Sequence, residues 1–291
     1  MIALSQSNTK SLPVVDSVSD SPQLPDHLSW SQVSLMRACP QKFYFTYISR
    51  SPKDFIPSSL KFGSAVHAGL EAYFRSRMEG LLVDESALMD AYHTSWQYEE
   101  EPGLPIRFNK MEDVSSLETT AKGMFAAFLQ SPLANPQGEI LGIEESFCSP
   151  LAHDLPDVMA RVDLIYISGG AIHLLDFKTS RSRWNPAKVA DAADQLRLYE
   201  ILTSQITGDT PVELHFGVLT KAKTPAFDLL PVPPADSNIT VLEQITSTFR
   251  QVYQAMQAGN YYPVPSPQNC TTCPFKSRCP AWMAHSSTPG D

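Results

Sequence analysis

Two aspartates and a lysine sit where a tight turn would bring them together. Ser168-Gly169-Gly170-Ala171 carries glycine at both central positions, which supplies the positive φ angles of a two-residue hairpin. With Gly169 and Gly170 as the loop, Ser168 faces Ala171, Ile167 faces Ile172, and further down the ladder Asp163 comes opposite Asp176. Carboxylates opposed across a sheet repel, so the pair calls for a compensating cation. Period-two alternation from Ile172 to Lys178 puts Asp176 and Lys178 on one face and Phe177 on the other. Hard oxygen ligands with room for waters and phosphate oxygens suit Mg²⁺ or Mn²⁺, and a nearby lysine can orient or deprotonate water, the outline of phosphodiester hydrolysis. An isolated Asp-x-Lys is common, however, and alone it reads more readily as a weak ion pair on a surface hairpin.

A second set of chemically capable residues is soft. Cys270, Cys273 and Cys279 form a C-x2-C-x5-C group lacking only a fourth thiolate, for which Cys39, followed by Pro40, is the candidate. Four thiolates hold either an iron–sulfur cluster or zinc, and ligand type alone does not decide between them. Cys148, beside Phe147 and with no partner at metal spacing, reads as a small buried apolar residue. Five cysteines are too few and too unevenly placed for a secreted disulfide framework, so a reducing, cytoplasmic setting is expected.

The elements that must position these groups follow from periodicity. Ser29 to Ile48 looks helical, with a break or kink at Cys39-Pro40. Leu60 to Met78 is a clearer helix that places Gly63, His67 and Glu71 on one face, and Glu85 to Glu99 and Glu112 to Gln130 complete a helical block. Three apolar, β-branched runs, Ile140 to Phe147, Val158 to Ile167 and Ala171 to Phe177, predict an antiparallel meander. A helix over Asp191 to Gln205, a strand over Val212 to Leu219 and a helix over Ile239 to Ala258 follow. Gln195 and Tyr199, four residues apart, share a helix face and can act on one ligand. The order predicts a mixed α/β core in a single domain over 27–284, with a helical insertion at about 80–130, a Cys-rich patch at 270–280, and flexible tails at 1–26 and 285–291.

Composition bounds the partners. With 43% hydrophobic and 18% charged residues, the 291-residue chain can bury a substantial core. Its 22 Lys and Arg against 31 Asp and Glu give a net charge of -9, so a nucleic acid must be held by local basic patches. Nowhere do 18 apolar residues run together and no signal peptide is visible, so no membrane span is expected.

Taken in order, the motifs resemble the PD-(D/E)XK nuclease superfamily, in particular its RecB-like exonuclease branch with an iron–sulfur cluster. The residues that carry the likeness are Phe62-Gly63-Ser64-Ala65-Val66-His67, Ala160-Arg161-Val162-Asp163, Leu175-Asp176-Phe177-Lys178-Thr179 and Gln195-Leu196-Arg197-Leu198-Tyr199, together with Cys39-Pro40-Gln41-Lys42-Phe43-Tyr44 and the three late cysteines. One position departs from the pattern, Ala160 standing where a glycine is usual.

The resemblance implies a restriction-endonuclease-like core. In it Asp163, Asp176 and the Phe177 backbone carbonyl bind the metal, His67 adds or orients a ligand, and Lys178 assists the attacking water. Gln195 and Tyr199 organise the site or hold DNA. It also implies a structural [4Fe-4S] cluster on Cys39, Cys270, Cys273 and Cys279. Glu144 or its neighbour Glu145 fills an accessory acidic position, Glu144 being preferred; either reads equally well as a solvent-facing residue on an edge strand.

Arg181, Arg183, Trp184 and Lys188 follow the hairpin and Lys221 and Lys223 follow the next strand, so cations could line one groove with Trp184 stacking on an unpaired base. The expected activity is metal-dependent exonucleolytic hydrolysis of single-stranded or frayed DNA in repair, recombination or CRISPR adaptation. The alternative is a catalytically idle, cluster-stabilised end-binding subunit. No phosphate-binding G-x-x-x-x-G-K-[S/T] loop is present, so any helicase or adaptation complex would be a separate partner.

Overall fold

The computed structural model describes residues 24–286. Ser29 ends a two-residue strand, β1 (Leu28–Ser29), and starts the first helix, α1 (Trp30–Ala38). Its hydroxyl accepts from Gln32 N–H while the Gln32 side chain accepts from Ser29 N–H, a reciprocal cap that satisfies two otherwise orphaned donors. Cys39 breaks the helix in an extended conformation, and Pro40 opens the short α2 (Pro40–Phe43), which widens into a π-helical turn over Tyr44–Ile48. The expected kink at Cys39-Pro40 is thus a true interruption, because proline at the first helical position fits a new start.

Next come β2 (Ile56–Pro57), α3 (Ser58–Met78) and α4 (Glu85–Gln97), followed by β3 (Ile106–Arg107), parallel to β2, and α5 (Val114–Leu129). Asp84 and Asp113 cap α4 and α5. The meander comprises β4 (Glu139–Ser149), β5 (Val158–Ser168) and β6 (Ala171–Ser180), turning at Gly169 and Gly170 with φ of 59° and 83°. Helix α6 (Pro186–Thr207) crosses to β7 (Val212–Thr220), parallel to β6; β8 (Ala226–Pro231) returns antiparallel, and α7 (Asn238–Gln257), α8 (Pro267–Cys270) and α9 (Pro280–Ser286) complete the described residues.

The six strands form one mixed sheet in which β5 carries β4 along one side, while β6 and β1 share the other. Alternating side chains feed two cores. One packs Leu196 of α6, Phe249 of α7 and Val33 of α1 against Leu174 and Phe216; the other packs Phe62 and Leu70 of α3, Leu88 of α4 and Phe125 of α5 against Leu164, Leu175 and Phe177. The sheet therefore lies between two helical layers. Among the described residues, no helix is long and apolar enough to cross a membrane.

Several expectations need correction. Strand β8 is absent from the sequence-based reading, since Pro225 and Pro231 bracket it and proline reads as loop. Helix α6 starts at Pro186 rather than Asp191, because Asn185 caps it through Lys188 N–H at 2.9 Å. Cys148 is exposed, not buried: it alternates with the inward Phe147 near the end of β4. Of the expected tails, 1–23 and 287–291 lie outside the described residues, whereas Leu24 packs against the core and α9 extends through Ser286.

Candidate active site

The β5–β6 ladder has the register expected from the turn, but its pairing runs only from Ser168–Ala171 to Leu164–Leu175. The strands diverge just before the two aspartates, and Asp163 Oδ2 instead accepts from the freed Phe177 N–H at 2.6 Å. On the other side of β5, a register shift between Ile140 and Gly142 inserts one residue into β4. Pairing then resumes with Ile143–Leu164 and Glu145–Val162, which sets Glu144 across from Asp163. Without the shift, Ile143 would face Asp163. Glu144 itself adopts φ 54°, a left-handed conformation that is strained for a residue with a Cβ and tends to collect at functional sites.

Glu144, Asp163 and Asp176 thus form an acidic row across three strands. Their side chains are only 11%, 10% and 5% exposed. Burial, with Asp176 and Glu144 alongside, pushes the Asp163 carboxyl well above the usual carboxylate range. Burial raises Glu144 too, opposed by the Arg161 guanidinium. Glu144 Oε2 and Asp176 Oδ2 have no donor aligned on them as a hydrogen bond. Each lies beside a cation, Arg161 Nε at 2.7 Å and Lys178 Nζ at 2.6 Å.

His67 of α3 completes the cluster, its Nδ1 3.6 Å from Asp163 Oδ2. The ligand atoms of His67, Glu144 and Asp163 lie within 4.8 Å of one another, while Asp176 is held on the Lys178 side. Burial depresses His67, favouring the neutral imidazole that can ligate, although Asp176 and a hydrogen bond to the Phe177 backbone act in the opposite sense. Hard carboxylate oxygens with one imidazole are a donor set that fits Mg²⁺ or Mn²⁺. Helix α3 is located by Phe177, whose ring meets Phe74 at 5.9 Å and His67 at 6.5 Å between centroids. Gly217 makes room for that ring: a Cβ there would stand 2.5 Å from Phe177 Cδ1.

Gln195 ties the other half together. Its Nε2 donates to Asp176 Oδ1 at 2.8 Å and to the Tyr199 hydroxyl at 2.6 Å, and its Oε1 accepts from Lys178 Nζ at 3.0 Å. Burial, followed by Asp176, raises Tyr199, so the phenol stays protonated. Arg161 is the residue sequence reasoning missed. It lies two positions before Asp163, hence on the same strand face, and period-two alternation was the signal available.

The basic residues divide. Arg181, Arg183, Lys188 and Lys223 are exposed, and Arg183 pairs with Asp228 at 3.4 Å. Lys221 sits over the Phe62 ring at 3.8 Å, and its burial lowers its pKa. Trp184 does not present a free ring for base stacking. It packs on Phe216 at 5.1 Å and lies under Lys188 Nζ at 4.7 Å.

All four cysteines of the expected cluster, Cys39, Cys270, Cys273 and Cys279, line one cavity of about 430 Å³ together with Lys42 and Lys276. The segment that brings the late three to the first is held by protein contacts. Asn269 donates to Ala38 O at 2.7 Å, Gln41 N–H to Tyr262 O at 3.0 Å and Asp54 N–H to Pro274 O at 2.7 Å, while Phe45 packs on Phe275.

A split hairpin bearing two carboxylates and a lysine, with a third carboxylate beside it on β4, on a mixed sheet between helices, is the architecture of a nuclease core. The chain belongs to the PD-(D/E)XK nuclease superfamily, whose family model matches residues 27–280. It is 22% identical to the gene 69 protein of Mycobacterium phage L5, the match covering 87% of this chain and 96% of the phage protein. Among solved structures it matches a Eubacterium rectale protein that carries a provisional exonuclease name, with TM-score 0.55 and 12% identity over 97% of this chain and 96% of the other. At that identity the likeness is one of fold.

Proposed function

We propose that this nuclease is a Mg²⁺- or Mn²⁺-dependent DNA exonuclease that hydrolyses phosphodiester bonds from single-stranded or frayed ends. The observation that carries the reading is the row Glu144–Asp163–Asp176 closed by Lys178 at the split of the β5–β6 hairpin. Asp163, Asp176, the Phe177 carbonyl and His67 or Glu144 would hold the divalent ion, which when bound would supply positive charge to the scissile phosphate and lower the pKa of water. Lys178 orients the attacking water, and Gln195 fixes both Lys178 and Asp176 in place. Arg181, Lys188 and Lys223 meet flanking phosphates, a role that predicts steep loss of DNA affinity with salt.

The cysteine cavity carries a structural [4Fe-4S] cluster in this reading.

Linear and circular single-stranded DNA of one sequence, incubated with anaerobically purified protein and Mn²⁺, test the substrate. The linear form should be degraded and the circle spared. Equal cleavage of the circle contradicts end dependence. Binding of ends without cleavage by folded, cluster-loaded protein moves the assignment to an idle end-binding subunit.

A further inference from the structure

His173, Glu213 and His215 form a second cluster of ligating groups, distinct from the acidic row. His173 lies three residues before Asp176 on β6, about 10 Å along the strand, and by alternation it projects from the opposite face of the sheet. In the parallel β6–β7 ladder, His173 is the partner of Glu213, and Leu175 is the partner of His215. All three ligating side chains therefore converge on one face.

Their donor atoms make a nearly equilateral triangle. His173 Nδ1 is 3.2 Å from His215 Nε2 and 3.5 Å from Glu213 Oε2, and the last two atoms are 3.4 Å apart. Tetrahedral coordination with bonds of about 2.0–2.1 Å puts neighbouring ligand atoms roughly 3.3 Å apart, so the triangle has the size of one face of such a site. We propose that His173, Glu213 and His215 bind a zinc-type transition-metal ion, with water in the fourth position.

Three further features favour the site. The Ser168 carbonyl, which can only accept, lies 3.3 Å from His173 Nε2, so that nitrogen carries the proton and Nδ1 presents its lone pair to the triangle. An imidazole fixed through its outer nitrogen by a backbone carbonyl is the usual support for a metal-ligating histidine. The Tyr166 ring stacks flat on His173, centroids 4.4 Å apart and planes within 4°, which fixes the ring orientation. Both histidine side chains are only 12% exposed, while Glu213 is 56% exposed, so two ligands are built into the sheet and the open side faces solvent. Two imidazoles select Zn²⁺, Co²⁺ or Ni²⁺ over the Mg²⁺ that suits the carboxylate row. A bound ion would join β6 to β7 at the end of the ladder remote from Lys178.

Zn²⁺ binding to the purified full-length chain, measured by equilibrium dialysis with excess Mg²⁺ and elemental analysis, tests the site. Wild type should bind one more equivalent than His215→Gln, and Glu213→Gln, whose side chain is exposed enough to leave folding intact, should weaken that equivalent by more than about tenfold. Asp176→Asn and Cys273→Ser should both retain it. With Co²⁺, the lost component should be a tetrahedral d–d band without thiolate charge transfer. Equal Zn²⁺ binding by wild type and Glu213→Gln overturns the proposal, as does loss of the same equivalent in Asp176→Asn.

Discussion

Gln195 accepts a hydrogen bond from Lys178 Nζ at 3.0 Å while its own amide donates to Asp176. The lysine and the aspartate of one strand, themselves in contact at 2.6 Å, are thus both anchored by a residue of α6. Gln195→Ala should therefore lower the cleavage rate by about 10–100-fold, the usual range for loss of an outer support, and raise the Mn²⁺ concentration needed. Gln195→Glu should fare no better, since it places another carboxylate against Asp176. Single-turnover rates across a Mn²⁺ titration check both.

Gly217→Ala should disturb the site from behind. The added methyl meets the Phe177 ring, which in turn packs on Phe74 and His67 of α3. Overpacking of this kind costs about 1–3 kcal/mol, to be read as a lower denaturation midpoint with unchanged m-value, and the cleavage rate should fall with it.

Asp163→Asn should separate stability from function. The native carboxyl titrates above its ordinary value of 3.8 because it is buried beside Asp176 and Glu144, so in the metal-free protein the folded state holds a proton that the unfolded state has released. Stability should then fall as pH rises from about 4 through the raised native value. The asparagine variant, in chelator, should lose that slope and be the more stable protein at neutral pH while inactive. Urea melts at a series of pH values provide the test.

The hairpin register was legible because two consecutive glycines leave one turn type, and α3 and α5 were legible from their apolar spacing. The acidic row was only half legible. Glu144 reaches Asp163 through an extra residue in β4, and a bulge leaves no periodic trace around Leu141. Trp184 and Cys148 misled for a related reason, since each depends on how a loop or strand end folds back. The Asn185-Pro186 start of α6, by contrast, was written in the sequence as a cap followed by proline.

Cys273→Ser should lower the thermal midpoint by more than about 4 °C, because the cluster would join the first helix to the last segment of the chain. Cys148→Ser should leave it unchanged, as that thiol is exposed and outside the cavity. Thermal melts of anaerobically purified variants, with iron content measured alongside, compare the two.

Asp163 and Asp176 with Lys178 are proposed to hydrolyse DNA with a divalent ion. End-label release from single-stranded DNA by the cluster-loaded protein, with Mg²⁺, Mn²⁺ or chelator, tests it most directly beside Asp176→Asn and Lys178→Ala. Release should require metal and fall by at least about a hundredfold in both variants. Release that persists in chelator, or in folded Asp176→Asn at the wild-type rate, would contradict it.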